Sequence, residues 1–356
     1  MPVTNIRRPV VGANATRYVL IMSVSFGISV VVTRTYLELT GYPQIGNSTF
    51  HIAHTLWGGL LLIIAALLLL VFVNRWVNDL SAILAGVGVG LFIDEVGKFI
   101  TQQNNYFFPL AAPIIYIAFL STLLIVLILR RRQRFTDLRV DMYEVLDDLE
   151  EVLEADFSIS ERDAMIRRLQ RITDQTERPD LAELARSILA FLQSGAVAVV
   201  PDRPSRTKSA LEGLMRLEDR FFTRPRVRSI LIIIFLLNGL GALVVAFFLS
   251  LVLVGDPGQI PDLMKSVVLS EANVAGMTSF YSFLVMTLLE LFTGIVLFVS
   301  AVAFLTKREP AAIFLGAIAM IIVLTFINTL SFYFSQFAML FNSIYSFVIL
   351  LSLERY

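Results

Sequence analysis

The sequence predicts an all-α, polytopic membrane protein with about eight transmembrane helices and a helical insert between two membrane halves. Of its 356 residues, 56% are hydrophobic and the mean hydropathy is +0.76, which exceeds ordinary globular usage. The apolar residues fall in runs of about 20, the length that a helix needs to cross a hydrocarbon core. Charge is the third observation: nineteen of the 29 acids and nineteen of the 29 bases lie between Arg130 and Arg228. This segment is therefore expected to face water.

Eight runs are long and apolar enough to be predicted as membrane spans. The first is predicted as an uncleaved helix, because no small-x-small cleavage site precedes Arg34. Only a tight turn separates the last two, so a broken or re-entrant pair is the alternative. In chain order the predicted spans are 18–36, 52–73, 79–101, 108–130, 229–254, 279–305, 311–332 and 336–353. The predicted domains are an N-terminal four-helix half (1–130), a polar domain (131–228) and a C-terminal four-helix half (229–356).

Basic residues near the ends of the spans predict the orientation, because cytoplasmic loops carry the excess of Lys and Arg. If both termini are cytoplasmic, the bases left outside are Arg34, Lys98 and Lys265. The bases then placed inside are Arg7, Arg8, Arg17, Arg75, Arg130, Arg131, Arg132, Arg224, Arg226, Arg228, Lys307, Arg308 and Arg355. The insert is accordingly predicted to lie in the cytoplasm.

The insert is predicted as a small bundle of amphipathic helices. Apolar residues recur at spacings of three and four through Leu138, Met142, Val145, Leu149 and Val152. The insert contains no phosphate-binding glycine loop or catalytic serine motif. A helical bundle without further role is the favoured interpretation; the alternative is a module that binds a second copy of the chain or a partner protein through its apolar stripes. No nucleic-acid partner is predicted.

The ends of the helices in the insert follow from capping residues. Ser160 followed by Asp163 predicts a capping box for a helix that runs through Thr173. Asp180 is predicted to cap the next helix, which Gly195 ends. A linker (196–209) and a last amphipathic helix (210–222) complete the insert.

A first group of ionisable residues is expected at the outer ends of the first three spans. The two histidines of the chain, His51 and His54, stand where span two begins, and span three carries acids in apolar sequence. Charged residues at membrane depth are rare and mark pathways, proton relays or paired groups. The predicted outer site comprises Arg34, Glu38, His51, His54, Asp94, Glu95 and Lys98.

Glycine spacing predicts how this outer site forms. Gly86 and Gly90 share a helical stripe with Asp94 and Lys98, and Gly58 lies one turn after His54. Small residues let helices approach closely in lipid. The two stripes are therefore expected to meet and to bring the histidines near the acids.

Three interpretations of the outer site stay open. The first is a structural ion-pair network, with Asp94 bound to Lys98 and Glu95 bound to a histidine or Arg34. The second is a proton or cation site, since histidine titrates near neutrality. The third is a divalent metal held by His51, His54 and Glu95, because zinc accepts such ligands. The chain has no cysteine, which excludes thiolate ligands, and no other cofactor is predicted.

A second polar site is predicted in the C-terminal half. Glu290 lies near the middle of span six, and Asn238, Asn328 and Asn342 lie on the neighbouring spans. An acid at this depth needs a partner or a proton. One interpretation is a glutamic acid that hydrogen bonds to an asparagine and holds helices together; the other is a station on a proton or cation path.

The motif around the histidines is similar to one in a set of bacterial membrane proteins. The shared features are an H-I-x-H start to one span, here His51, Ile52 and His54, and a glycine-rich span that ends in Asp94-Glu95. The resemblance covers spans two and three. It implies a bacterial integral membrane protein, hence an inner-membrane location, and it implies no activity.

The function predicted from these features is proton- or cation-linked transport, a channel or a sensor, acting through the outer His–carboxylate site. One alternative is a scaffold or subunit of a larger membrane complex that docks through the insert. The other alternative is an intramembrane metal-dependent hydrolase.

Overall fold

The computed structural model describes residues 10–12, 14–41, 53–102, 105–106, 108–132, 138–153, 157–201, 223–254, 277–335 and 339–356. The named elements in this part of the chain are all helices. They are α1 (Ala15–Thr40), α2 (His54–Val71), α3 (Arg75–Asp94), α4 (Val96–Ile100), α5 (Ala111–Arg132), α6 (Leu138–Leu153), α7 (Ile159–Gln175), α8 (Pro179–Gln193), α9 (Arg224–Val254), α10 (Met277–Leu305), α11 (Glu309–Ile322), a π-helix (Val323–Ile327), α12 (Asn328–Ser335) and α13 (Leu340–Arg355). His51 and the predicted helix 210–222 lie outside the described residues.

Among these helices, seven spans are long and apolar enough to cross a membrane, with Glu309–Phe334 counted as one span through the π-helix. Helix α13 is also apolar but has 16 residues. At a rise of about 1.5 Å per residue this is about 24 Å, against a hydrocarbon core of about 30 Å. The predicted all-α polytopic fold is confirmed, and the last of the eight predicted spans is a shorter helix than the others.

The helices form two compact units. The first unit comprises Met1–Ile93 and Ser121–Ala210, and the second comprises Asp94–Leu120 and Leu211–Tyr356. Two of the three boundaries fall at the end of α3 and within α5, and the third, between residues 210 and 211, lies outside the described residues. The division predicted from sequence, at residues 130 and 228, follows polarity along the chain and stays a prediction.

In the first unit, α3 packs closely against α1 through two glycines. A Cβ atom at Gly86 would overlap the carbonyl oxygen of Met22, and one at Gly90 would lie 2.8 Å from the side chain of Ser29. The Ser29 hydroxyl donates a hydrogen bond of 3.2 Å to the carbonyl oxygen of Val87. These contacts bring the two backbones together as small-residue interfaces do in membranes.

The opposite side of α3 packs against α2 and corrects the predicted pairing of stripes. A Cβ atom at Gly58 would lie 2.7 Å from the carbonyl oxygen of Gly88, and the Thr55 hydroxyl donates to the Phe92 carbonyl oxygen at 3.3 Å. The expected partners of Gly58 were Gly86 and Gly90, which instead contact α1. The prediction failed because glycines two residues apart on a helix lie about 200° apart around its axis, so α3 presents small residues to both neighbours.

The first unit also contains the three-helix core of the polar insert. Phe157, Met165, Leu169 and Ile172 are fully buried there. The apolar stripe predicted on α6 contributes to this core, with Met142 and Val145 buried and Leu138, Leu149 and Val152 partly buried. The predicted helical bundle is confirmed for the part of the insert that the structure describes.

Two predicted caps in the insert are wrong. Helix α7 is capped by Ser158, whose hydroxyl accepts from the Glu161 N–H, while the Glu161 carboxylate accepts from the Ser158 N–H in a reciprocal capping box. Residue 160 therefore lies inside the first turn. Helix α8 begins at Pro179 after Arg178, with Asp180 in its first turn rather than at the cap; an acid there still favours the positive end of the helix dipole.

Arg75, the first residue of α3, holds α6 through a cluster of acids. Its guanidinium group lies 3.1 Å from the Asp147 carboxylate and 2.5 Å from that of Asp148, and it also pairs with Glu151. Its backbone N–H donates to the Glu150 carboxylate at 3.1 Å. One side chain at the end of a membrane helix thus anchors the insert within the first unit.

This cluster should make the stability of the protein depend on pH through Glu151. Burial, reinforced by the Glu161 carboxylate and opposed by Arg75, raises the pKa of Glu151 to about 7. Between its ordinary value of 4.5 and about 7, the folded protein holds a proton that the unfolded chain has lost. The contribution of Glu151 to the free energy of unfolding therefore falls as pH rises through this window.

We expect a smaller loss of melting temperature between pH 5.5 and pH 7.5 in Glu151→Gln than in the unmodified protein, measured by thermal unfolding in detergent. Glu183→Gln, which changes an exposed acid on α8, is the control and should keep the original pH dependence. Equal pH dependence in Glu151→Gln and the unmodified protein would contradict the expectation.

The second unit is built on the packing of α9 along α10. Phe235, Ala301 and Phe304 are fully buried in its core, where α11 and α13 also contribute side chains. A Cβ atom at Gly239 would lie 2.7 Å from that of Phe298, and one at Gly294 would overlap that of Ala242. Polar residues of α9 and α10 line a cavity next to this contact.

Candidate functional site

The acids of the predicted outer site have donors within the second unit. Asp94 and Glu95 are 0% and 1% exposed. The Tyr106 hydroxyl donates to the Asp94 carboxylate at 2.7 Å, and the Lys98 ammonium donates to the Glu95 carboxylate at 2.7 Å. Lys98 also lies 5.4 Å from the centre of the Tyr106 ring. Contacts of this kind are what a structural ion-pair network requires.

The arrangement of these side chains depends on an interruption of the helix. Glu95 separates α3 from α4, with φ −91° and ψ 11°. Lys98 lies in the last turn of α4, where a cation is favourable. The sequence pattern had paired Lys98 with Asp94 and had not indicated Tyr106, because a tyrosine in a loop carries no periodic signal.

The other predicted members of the outer site lie in the first unit. Arg34 is buried on α1 with 6% exposure, Glu38 is exposed one turn further on, and His54 is the half-buried first residue of α2. Their convergence with the acids stays a prediction. The described residues include no group of three or more His, Cys, Asp or Glu side chains placed to hold a metal ion. Since His51 lies outside the described residues, the predicted metal site is not tested.

The second polar site lies around a cavity of about 460 Å³ in the second unit. Four helical segments contribute: α9, α10, α11 with its π-helix, and α13. Three of the four polar residues predicted for this site, Glu290, Asn238 and Asn342, line it. The other lining residues are Leu237, Gly241, Ala242, Val245, Leu291, Thr293, Gly294, Leu297, Met320, Val323, Ile327, Tyr345, Ser346 and Ile349. A volume of this size with mainly apolar walls and a few polar groups is typical of a small-molecule site.

The carboxyl group of Glu290 reaches this cavity without a protein partner. No residue in the described part of the chain hydrogen bonds to it or forms an ion pair with it. The predicted glutamic acid–asparagine contact is absent there, and two of the three asparagines donate to other groups. Asn238 donates to the carbonyl oxygen of Ile234 at 2.8 Å. Asn342 donates to the Asn328 side chain at 3.1 Å.

The fourth predicted residue, Asn328, connects the cavity wall to the π-helix. It is fully buried and follows the last π-helical residue, Ile327. Within the same segment, the carbonyl oxygen of Leu324 accepts a hydrogen bond of 2.8 Å from the hydroxyl of Tyr116 on α5. The Tyr116 ring lies 4.6 Å from that of Phe332. A π-helix frees backbone groups from the regular ladder and is frequent at functional sites.

Two tyrosines of this region were missed by the sequence pattern. Tyr116 and Tyr345 lie in apolar helices, where a tyrosine is compatible with ordinary packing. A π-helix also has no signature in the pattern of apolar residues. The one available signal was the density of hydroxyl and amide side chains in the last two apolar runs, which indicated a polar interior but not its shape.

Together, the seven apolar spans and their buried polar groups define the class: this is a polytopic α-helical integral membrane protein. No protein-family model, curated protein or solved structure matches the chain.

Proposed function

We propose that the protein carries out proton- or cation-linked transport and that Glu290 is its ion-binding group. The supporting observation is the Glu290 carboxyl group, which reaches a cavity between membrane helices with no partner in the described part of the chain. An ionised carboxylate in a medium of low dielectric constant needs a counter-charge. A proton or a bound cation supplies that charge, and exchange between the two couples their movements.

The outer acids take a supporting role in this proposal. Asp94 and Glu95 each accept a hydrogen bond from a neighbouring side chain, and the donor to Glu95 is the charged ammonium group of Lys98. Glu290 differs from them in this respect. We therefore assign ion binding to the cavity and helix positioning to Asp94, Glu95 and Lys98.

The proposal includes the orientation and location predicted from the sequence. Both termini and the insert are assigned to the cytoplasmic side of a bacterial inner membrane. The support is the distribution of arginines, with clusters such as Arg130-Arg131-Arg132 at one side of the spans. In this orientation the Arg75 cluster lies at the cytoplasmic surface.

Glu290→Gln should reduce cation-driven proton flux to the level of empty liposomes. The substitution keeps the shape of the side chain but removes the charge that a cation requires. The measurement is the change of an internal pH dye after a gradient of sodium or potassium is applied to proteoliposomes.

Glu183→Gln changes an exposed acid on α8 and should leave the flux unchanged. Equal melting temperatures in detergent will establish that both variants are folded. The proposal is wrong if the unmodified protein gives no more flux than empty liposomes, or if Glu290→Gln transports as well as the unmodified protein.

A further inference from the structure

Three polar side chains around the cavity already donate a hydrogen bond within the protein. The Asn238 amide donates to the Ile234 carbonyl oxygen at 2.8 Å, which fixes which of its atoms is the nitrogen. The Thr293 hydroxyl donates to the Leu289 carbonyl oxygen at 2.8 Å. The Ser346 hydroxyl donates to the Asn342 carbonyl oxygen, also at 2.8 Å. The oxygens of these three side chains retain lone pairs that can accept.

The charge of the cavity, like these acceptor oxygens, favours a ligand that donates hydrogen bonds. Glu290 is its acid, and no Lys, Arg or His is among the described residues that line it. An acidic group with surrounding acceptors favours a ligand that is positively charged and carries several N–H donors. An anion would lie beside the Glu290 carboxylate with no cation in the described lining to pair with, which is costly in an apolar setting.

The size and walls of the cavity leave room for a ligand larger than a bare metal ion. Hard cations such as Ca²⁺ take six to eight oxygen ligands. Here one carboxylate and a few neutral oxygens stand among apolar side chains such as Leu237, Leu291 and Met320. A volume of about 460 Å³ lies within the range of cavities that bind small organic molecules.

From these three observations we propose that the cavity binds a small organic cation, a primary ammonium group carried on an apolar body. The ammonium group donates to the Glu290 carboxylate and to the Asn238 side-chain oxygen. The apolar body packs against the walls that α9, α10 and α11 provide. The inference rests on the proposed function, because it uses Glu290 as the ion-binding group, and it adds the class of substrate.

The test is equilibrium dialysis of radiolabelled 2-phenylethylamine against the purified full-length protein in detergent at pH 7, with empty micelles subtracted. We expect saturable binding, and at least a tenfold loss of affinity in Glu290→Gln. Unlabelled 2-phenylethanol has a similar apolar body without the charge and should not compete. Glu183→Gln, which changes an exposed acid on α8, is the control and should bind as the unmodified protein does.

The inference is overturned if no saturable binding is found, if Glu290→Gln binds equally well, or if 2-phenylethanol competes as well as the amine. The proposed function has a separate readout. Cation-driven proton flux that depends on Glu290, without amine binding, would keep the proposed function and overturn the substrate class. Amine binding that depends on Glu290, without flux, would support the binding site and overturn transport.

Discussion

Gly294→Ala should destabilise the second unit by about 1–3 kcal/mol, the usual cost of an added group in a tight interface. A Cβ atom at residue 294 would overlap that of Ala242 on α9, and the Asn238 carbonyl oxygen lies 3.4 Å away. The two helices can accept the methyl group only by separating. The measurement is thermal unfolding in detergent, where the melting temperature should fall.

The chain offers both a rescue and a control for this substitution. In the double variant Gly294→Ala/Ala242→Gly, the methyl group has changed sides and most of the lost stability should return. Gly241→Ala adds a methyl group on α9 where nothing lies within 4 Å, so it should be neutral or slightly stabilising. The close packing of α9 and α10 would be disproved if Gly294→Ala melted at the same temperature as the unmodified protein.

Arg75→Ala should release α6 from the start of α3. The substitution leaves Asp147, Asp148 and Glu151 without the cation that pairs with all three. The Arg75 side chain is 26% exposed, so the loss should lie between the roughly 0–1 kcal/mol of a surface pair and the roughly 3–5 kcal/mol of a broken buried pair. We expect about 2 kcal/mol, which is about thirty-fold faster amide exchange.

The measurement is hydrogen–deuterium exchange across α6, residues 138–153. Arg186→Ala is the matched control, because Arg186 forms a pair with Glu183 in which both side chains are more than half exposed. That variant should exchange as the unmodified protein does. Unchanged exchange of α6 in Arg75→Ala would show that the acids hold the helix without Arg75.

The membrane fold could be predicted because its signal is carried by composition alone. Runs of apolar residues about 20 long have few alternatives to a spanning helix, and seven such helices are present in the described residues. Which helices pack against each other could not be predicted in the same way. Gly86, Gly88 and Gly90 are close in sequence, but their contacts divide between α1 and α2, and spacing cannot tell which neighbour each face meets.

The N-terminal cap of α7 shows a similar limit to prediction from sequence. Ser158 and Ser160 are each followed three residues later by an acid, so two capping boxes fit the sequence equally well. Burial of Phe157 places the chain so that Ser158 is the cap. The prediction of Ser160 failed because tertiary packing, absent from the local pattern, made the choice.

For the candidate site, the polar residues were visible in sequence and the cavity was not. Glu290, Asn238, Asn328 and Asn342 stand out because an acid or amide is unusual in a long apolar run. Their sequence positions do not reveal that the Glu290 carboxyl group lacks a partner in the described part of the chain, or that Asn238 and Asn342 donate to other groups. Those facts depend on rotamers and on the packing of four helices, and they change the interpretation of Glu290 from interhelical contact to ligand site.

The π-helix between α11 and α12 makes the orientation of the following helices depend on the number of residues in this segment. A π-turn contains one residue more than the α-helix around it needs. Each residue of an α-helix turns the chain by about 100°. If the same five residues continued as a regular α-helix, Asn328 and everything after it would therefore be rotated by about 100° around the helix axis. The wall of the cavity is set by the number of residues in this segment as much as by their identity.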